Sequence, residues 1–219
     1  YNACHERGWT DSYLLKMNNL PIGYGSVKGQ EISDRDSIFE FYITPPYRKT
    51  ASRIFPELIL ASQSRFIECQ SNDKLMSGML YEFGENINSD VILFEEDVIT
   101  TYQIPGATFR PRREGDVMQG LKPEELGHYV LELGGVIVAT GGFLLHYNMP
   151  FADLYMEVSA DYRGRGLGSF ILQEVKKECY RAGRVPAARC NIVNKASKAT
   201  LLKAGFKVAG YMLRGTIKL

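Results

Sequence analysis

The sequence has almost no net charge: 26 Lys and Arg stand against 25 Asp and Glu in 219 residues, a balance of +1. The whole-surface pull of a strongly basic chain toward nucleic acid or anionic lipid is therefore missing, and no nucleic-acid partner is expected. Long apolar runs are missing too. The longest nearly apolar stretch, GGVIVATGGFLL from Gly134 to Leu145, falls well short of the ~20 residues of a membrane-spanning helix, so no membrane partner is expected. The four cysteines (Cys4, Cys69, Cys179, Cys190) lack CxxC spacing, and the three histidines (His5, His128, His146) form no HxxxH pair. No metal is expected, and the cysteines read as free thiols of a reducing cytoplasm. The opening YNACHERGW has neither an initiator Met nor the basic-then-apolar pattern of a signal peptide, so the start reads as trimmed or incomplete and export is not indicated.

What is present is ordinary globular composition, 45% hydrophobic and 23% charged, at a length that allows one large domain or two small ones. An internal repeat favours two. Phe39 to Phe55 (FEFYITPPYRKTASRIF) aligns without a gap on Leu154 to Phe170 (LYMEVSADYRGRGLGSF), placing Tyr47-Arg48 on Tyr162-Arg163. Both segments read as a strand, a turn and a helix. IECQSND from Ile67 echoes ARCNIVNK from Ala188, each a short strand reaching an Asn before an amphipathic helix.

The Pro/Gly/Arg mixture of Gly106 to Lys122 reads as a connector, with Arg110, Arg112 and Arg113 solvated. Domains 1–108 and 109–219 follow. In the second, strands are expected over Gly127 to Val138 and Thr140 to Tyr147, turning at Gly134-Gly135 and Gly141-Gly142, and over Ala152 to Val158. A helix is expected over Gly166 to Ala182, with Leu167, Phe170, Ile171, Val175 and Cys179 inward and Gln173, Glu174 and Lys177 outward. Strand Pro186 to Val193, helix Lys195 to Ala204 ending at Gly205, and strand Val208 to Leu219 complete it. The first half repeats this order, so the fold class is mixed α/β.

The most specific motif is Arg163-Gly164-Arg165-Gly166-Leu167-Gly168-Ser169, set between a strand and a helix. Unpaired N–H groups at a helix start, next to residues without Cβ, are a seat for phosphate oxygens, and arginines add charge-assisted contacts. The spacing is neither GxxxxGK[ST] nor GxGxxG, so neither common nucleotide loop fits.

The arrangement Arg163-x-x-Gly166-x-Gly168 resembles the acetyl-CoA signature of the GNAT superfamily of N-acetyltransferases. Val158 to Arg163 resembles its V-x-P-x-Y-R, and Asn194, Ser197 and Gly205-Phe206 its N-x-x-S and GF close. The resemblance implies two tandem domains of this fold, each a mixed sheet flanked by helices, the first degenerate because Lys49 to Ile54 replaces the glycines. It implies acetyl-CoA as cosubstrate and transfer of acetyl to a primary amine of a small molecule or peptide. Val158 and Ala160 would bind pantetheine, Arg163 to Ser169 (Gly164, Arg165, Gly166, Leu167 and Gly168 included) would cradle the pyrophosphate, and Asn194, Ser197 and Lys198 would line the cofactor, with Lys203 an alternative to Lys198.

Catalysis would use Glu157 as base, because an alkyl ammonium is mostly protonated at neutral pH, and the Val158 N–H as oxyanion donor. The family's usual acid, a Tyr, falls at Leu201, so Tyr211, Tyr155, Cys190 or water would have to substitute. The acceptor pocket is expected at Tyr147 to Ala152 and in the cleft between the halves, with Glu40, Trp9 and Asp11 as first-half contributors. A non-catalytic acyl-CoA-binding protein is the alternative.

Overall fold

The computed structural model describes residues 2–218, so the expected strand end at Leu219 lies outside the described residues. Two compact units divide the chain: residues up to Ile92 together with those from Gly210 onward, and Leu93–Ala209. The division falls inside two strands, β5 (Gly84–Glu96) and β11 (Phe206–Ile217), and not at residue 108.

The first unit begins with a short helix α1 (Asn2–Glu6) and a hairpin of β1 (Thr10–Met17) and β2 (Leu20–Lys28). Asn18 and Asn19, both at positive φ, make its two-residue turn, a conformation asparagine tolerates and hairpin twist requires. β3 (Ser37–Ile43) pairs antiparallel with β2 and parallel with β4 (Phe66–Gln70), and β4 pairs antiparallel with β11. Helix α2 (Ala51–Ser62) makes the crossover from β3 to β4, and α3 (Lys74–Phe83) follows. The Asp73 carboxylate caps α3 by accepting from the N–H groups of Leu75 and Met76, as an N-cap aspartate should. Ile38, Phe41, Phe55, Leu58, Ile67 and Leu80 form the core.

In the second unit, β6 (Ala107–Pro111), β7 (Tyr129–Leu133), β8 (Val136–Leu144) and β9 (Phe151–Val158) make an antiparallel meander. Helix α4 (Leu167–Arg181) then leads to β10 (Val185–Asn191), parallel to β9, and α5 (Lys195–Lys203) follows. Each unit thus runs strand, 3-10 turn, helix, parallel strand, helix. The order is mixed α/β, as the periodicity predicts.

Three expectations change. The stretch Gly106–Lys122 is not a plain connector, because it contains β6. Arg110 is not solvated there: its guanidinium pairs with Asp116 at 2.8 Å and Glu132 at 3.0 Å. Gly141-Gly142 is no turn either. Both lie within β8, where a Cβ on Gly141 would come 2.9 Å from the Tyr155 carbonyl and one on Gly142 2.7 Å from the Tyr155 hydroxyl, so close approach explains the glycines. Gln173, expected outward on α4, is buried, its side chain bonding the N–H and the carbonyl of Tyr102.

Candidate functional site

β9 ends at Val158, a 3-10 turn (Ala160–Tyr162) follows, and α4 starts at Leu167. Between them Gly164 and Gly166 adopt φ of +76° and +80°, the left-handed region that disfavours any side chain. The first bond of α4 runs from the Phe170 N–H to the Gly166 carbonyl, and no side chain caps the helix. The N–H groups of Leu167, Gly168 and Ser169 therefore have no acceptor within the helix, and the dipole's positive end lies there.

Gly168 sets the spacing of the layers, since a Cβ on it would lie 3.0 Å from Thr200 Cγ2 and 3.4 Å from Met156 Sδ. The Ser169 hydroxyl is turned inward and donates to the Thr200 carbonyl. Arg165 donates to the Asp161 carbonyl and lies over the Tyr162 ring. Lys203 joins them: its Nζ stands 3.6 Å from where a Gly166 Cβ would be.

The edge of β9 nearest this loop is open. Ser159 N–H donates to Val138 O, which fixes the phase of the β8–β9 ladder, so Val158 and Met156 direct their N–H and C=O groups away from β8. On that side β9 pairs with β10 only from Phe151↔Val185 to Leu154↔Ala188. Past Leu154 the strands part, and the N–H groups of Met156 and Val158 face the gap. A cleft of about 200 Å³ beside it is lined by Val158, Ala160, Arg163, Gly120 and Leu121; the last two carried no signal in the sequence.

The other expected residues distribute unevenly. Arg163 is tied back, donating to the Val158 carbonyl at 3.1 Å and to Glu157 at 2.7 Å, and Glu157 itself is exposed. Asn194 caps α5 by accepting from the Ser197 N–H. Burial raises the Cys190 thiol, which the Ser197 hydroxyl partly offsets by hydrogen bonding. Lys198 follows on the first turn of α5. Leu201 is 3% exposed and packs in the core. Tyr211 belongs to the first unit, its backbone bonded to Ser71.

A second polar centre of this unit carried no motif. Asp153, 7% exposed in the strand FADLYMEV, whose other acid Glu157 is exposed, lies 3.1 Å from His146 Nε2 and 3.2 Å from Arg189 Nε. Burial raises its carboxyl, while Arg189, His146 and the Tyr147 hydroxyl favour the ionised form. Burial also pushes the Tyr147 phenol well up. A larger cleft of about 520 Å³ belongs to the first unit, but its charges are largely paired with one another, Lys28 with Glu68 and Arg65 with Asp36. Among the described residues, no group of three or more His, Cys, Asp or Glu is placed to hold a metal ion, and no helix is long and apolar enough to cross a membrane.

The sequence matches the Acetyltransferase (GNAT) family over residues 94–206, just over half of the chain. Among solved structures, an acetyltransferase of the GNAT family from Colwellia psychrerythraea is 14% identical, with TM-score 0.70 over 94% of this chain and 85% of that one. A GCN5-related N-acetyltransferase from Sphaerobacter thermophilus is 15% identical, with TM-score 0.61 over 95% and 81%. A tandem GNAT protein from the clavulanic acid biosynthesis pathway is 8% identical, with TM-score 0.60 over 96% and 83%. At these identities the likeness is one of fold. No curated protein sequence matches.

Proposed function

The chain belongs to the acetyltransferase (GNAT) family, and on that footing we propose that its second unit uses acetyl-CoA to acetylate a primary amine of a small molecule or peptide. One observation carries this reading: a bare helix N-terminus and an unpaired strand edge meet at the same loop. The N–H groups of Leu167, Gly168 and Ser169, with Arg165 and Lys203 beside them, suit a pyrophosphate. The open edge of β9 suits an extended amide-bearing arm, which would add to it as a further strand. Acetyl-CoA has both parts, and when bound it supplies the activated acyl group.

The protein's own groups then have separate tasks. Val158 and Ala160 hold the arm through backbone, and Asn194, Ser197 and Lys198 flank it from the start of α5. The N–H groups of Val158 and Met156 are the two donors available to a developing oxyanion, preorganised because the β8 ladder fixes them. Arg163, bonded to the Val158 carbonyl and Glu157, holds the loop's entry rigid. Leu201 supplies no proton. No role is proposed for Tyr211.

The first unit is proposed as a related copy that has lost its seat. Its helix α2 follows Thr50 at φ −95°, without left-handed glycines, and the exposed Arg53 takes the place of a glycine, its Nη2 3.3 Å from Met17 Sδ.

Leu201 and the Glu157–Arg163 pair favour one second reading, a protein that binds acyl-CoA without turnover. Calorimetry with acetyl-CoA, followed by thiol release with a panel of primary amines, tests both. Binding at one site with turnover supports transfer; binding without turnover on any amine supports the second reading. No binding removes both.

A further inference from the structure

The centre around Asp153 has no part in holding the cofactor, yet it lies at a telling place on the sheet. On β9, Met156 and Val158 face α4, as their approach to Gly168 requires, so by strand alternation Phe151, Asp153 and Tyr155 face the opposite side. Asp153 stands opposite Leu144 on β8 and Ala187 on β10. It is therefore one step from Leu154↔Ala188, where β9 and β10 part. An arm entering at Val158 can follow the open edge as far as Tyr155, about 10 Å on at three residues of ~3.3 Å each, and Asp153 lies two residues beyond.

We propose that Asp153, His146 and the exposed side chains of Leu144 and Phe151 form the acceptor site, taking a primary ammonium that carries a hydrocarbon substituent, with His146 as the base that removes its proton. The inference rests on the acetyl-transfer reading above.

Three observations carry it. His146 Nε2 is buried and lies 3.1 Å from Asp153 Oδ2, with no aligned hydrogen-bond partner among the described residues. A carboxylate at that distance favours the tautomer with the hydrogen on Nε2 and the lone pair on Nδ1. A carboxylate behind an imidazole stabilises the imidazolium that forms when the ring takes a proton, and it fixes the tautomer. Asp153 is thus a positioning residue and His146 the catalytic one.

The charged and titratable groups around His146 complete the balance. Arg189 from β10, at 3.2 Å, and the Tyr147 hydroxyl from the preceding loop favour the ionised form of Asp153, against the burial that raises its carboxyl. Glu157 is exposed and its carboxylate is engaged by Arg163 at 2.7 Å.

Finally, Leu144 is 45% and Phe151 39% exposed on the same face as Asp153, and hydrocarbon rather than a second charge suits them. In the balanced reaction the ammonium proton passes to His146, the amine nitrogen bonds to the acyl carbon, and the C–S bond breaks with its electron pair on sulfur. Ammonium and thioester become amide, thiol and one proton, which His146 returns to water.

The test uses the full chain with ¹³C-labelled histidine and no acyl donor. His146→Gln assigns the resonance by deleting one of three signals. Phenethylamine should shift the His146 signal in a saturable way, 2-phenylethanol should not, and ethanolamine should need at least roughly tenfold higher concentration. His146→Gln should lower kcat about 10²- to 10⁴-fold with acetyl-CoA affinity unchanged, the loss shrinking at high pH. Asp153→Asn should lower kcat and abolish the amine-induced shift; if it does not fold, His146→Gln, near the surface, still decides.

A His146 signal unmoved by phenethylamine, or a Gln variant with wild-type kcat, overturns the proposal even where acetyl-CoA binds. Failure of acetyl-CoA to bind removes instead the reading on which it rests. Ethanolamine equal to phenethylamine overturns the hydrocarbon preference.

Discussion

Arg163 donates from one guanidinium to two groups of β9, the Glu157 carboxylate at 2.7 Å and the Val158 carbonyl at 3.1 Å. An arginine fork used this way fixes the angle at which the strand hands the chain to the loop. Glu157→Gln should therefore weaken acetyl-CoA binding about two- to fivefold by loosening Arg163, while kcat stays within threefold, because an exposed pair contributes little. Calorimetry and steady-state kinetics separate these effects. A kcat loss of a hundredfold at full affinity would make Glu157 the base.

Gly166→Val should abolish acetyl-CoA binding. Its φ of +80° is strained for a β-branched residue by about 1–2 kcal/mol, and the new side chain would stand beside the N–H groups proposed to seat the pyrophosphate. Circular dichroism should show α4 retained. Calorimetry on the wild type should give one site per chain; two equivalent sites would contradict the proposal for the first unit.

The ammonium of Lys176 lies 2.7 Å from Glu96, both nearly out of solvent, and also donates to the carbonyls of Val98 and Ala204. Removing one partner of a buried pair leaves the other charge uncompensated. Lys176→Met should cost about 3–5 kcal/mol in urea unfolding. Adding Glu96→Leu should recover part of that loss; additive losses would count against the ion pair as the cause.

Asp116 is lowered to about 2, first by its hydrogen bonds from Arg110 and then by the Arg113 N–H. A carboxyl depressed in the folded state stabilises it above its unfolded pKa of ~3.9 and loses that contribution as pH falls through the folded value. Stability should therefore drop between about pH 4 and pH 2, more steeply in the wild type than in Asp116→Asn. Identical acid-unfolding curves would refute the assignment.

The strands and helices that read well in the sequence are those whose periodicity coincides with burial. β9 (Phe151–Val158) exceeds its expected range by a single residue, and α4 differs from its own by a single residue at each end. β6 was hidden because its Arg110 has a carboxylate on each side, which composition alone reads as solvated charge. Gly141-Gly142 misled because a glycine that admits a neighbouring side chain looks like one that turns a chain. The glycine loop between β9 and α4 was legible as a local motif.

The Asp153 centre was not legible, since His146, Asp153 and Arg189 meet only through the register of β8, β9 and β10. One signal was available: a lone acid at an inward position of FADLYMEV.

The two units also differ in when they can be finished. Leu93–Ala209 is a continuous stretch and can close its meander and helices as soon as it has left the ribosome. The other unit cannot, because β4 awaits its antiparallel neighbour, the Met212–Thr216 segment paired with Gln70–Phe66. Until that segment is translated, one edge of β4 lacks a hydrogen-bonding partner, an invitation to mispairing. The segment synthesised later is therefore completed earlier, and shortening the chain before Met212 should leave the glycine-loop unit formed while exposing the edge of β4 to aggregation.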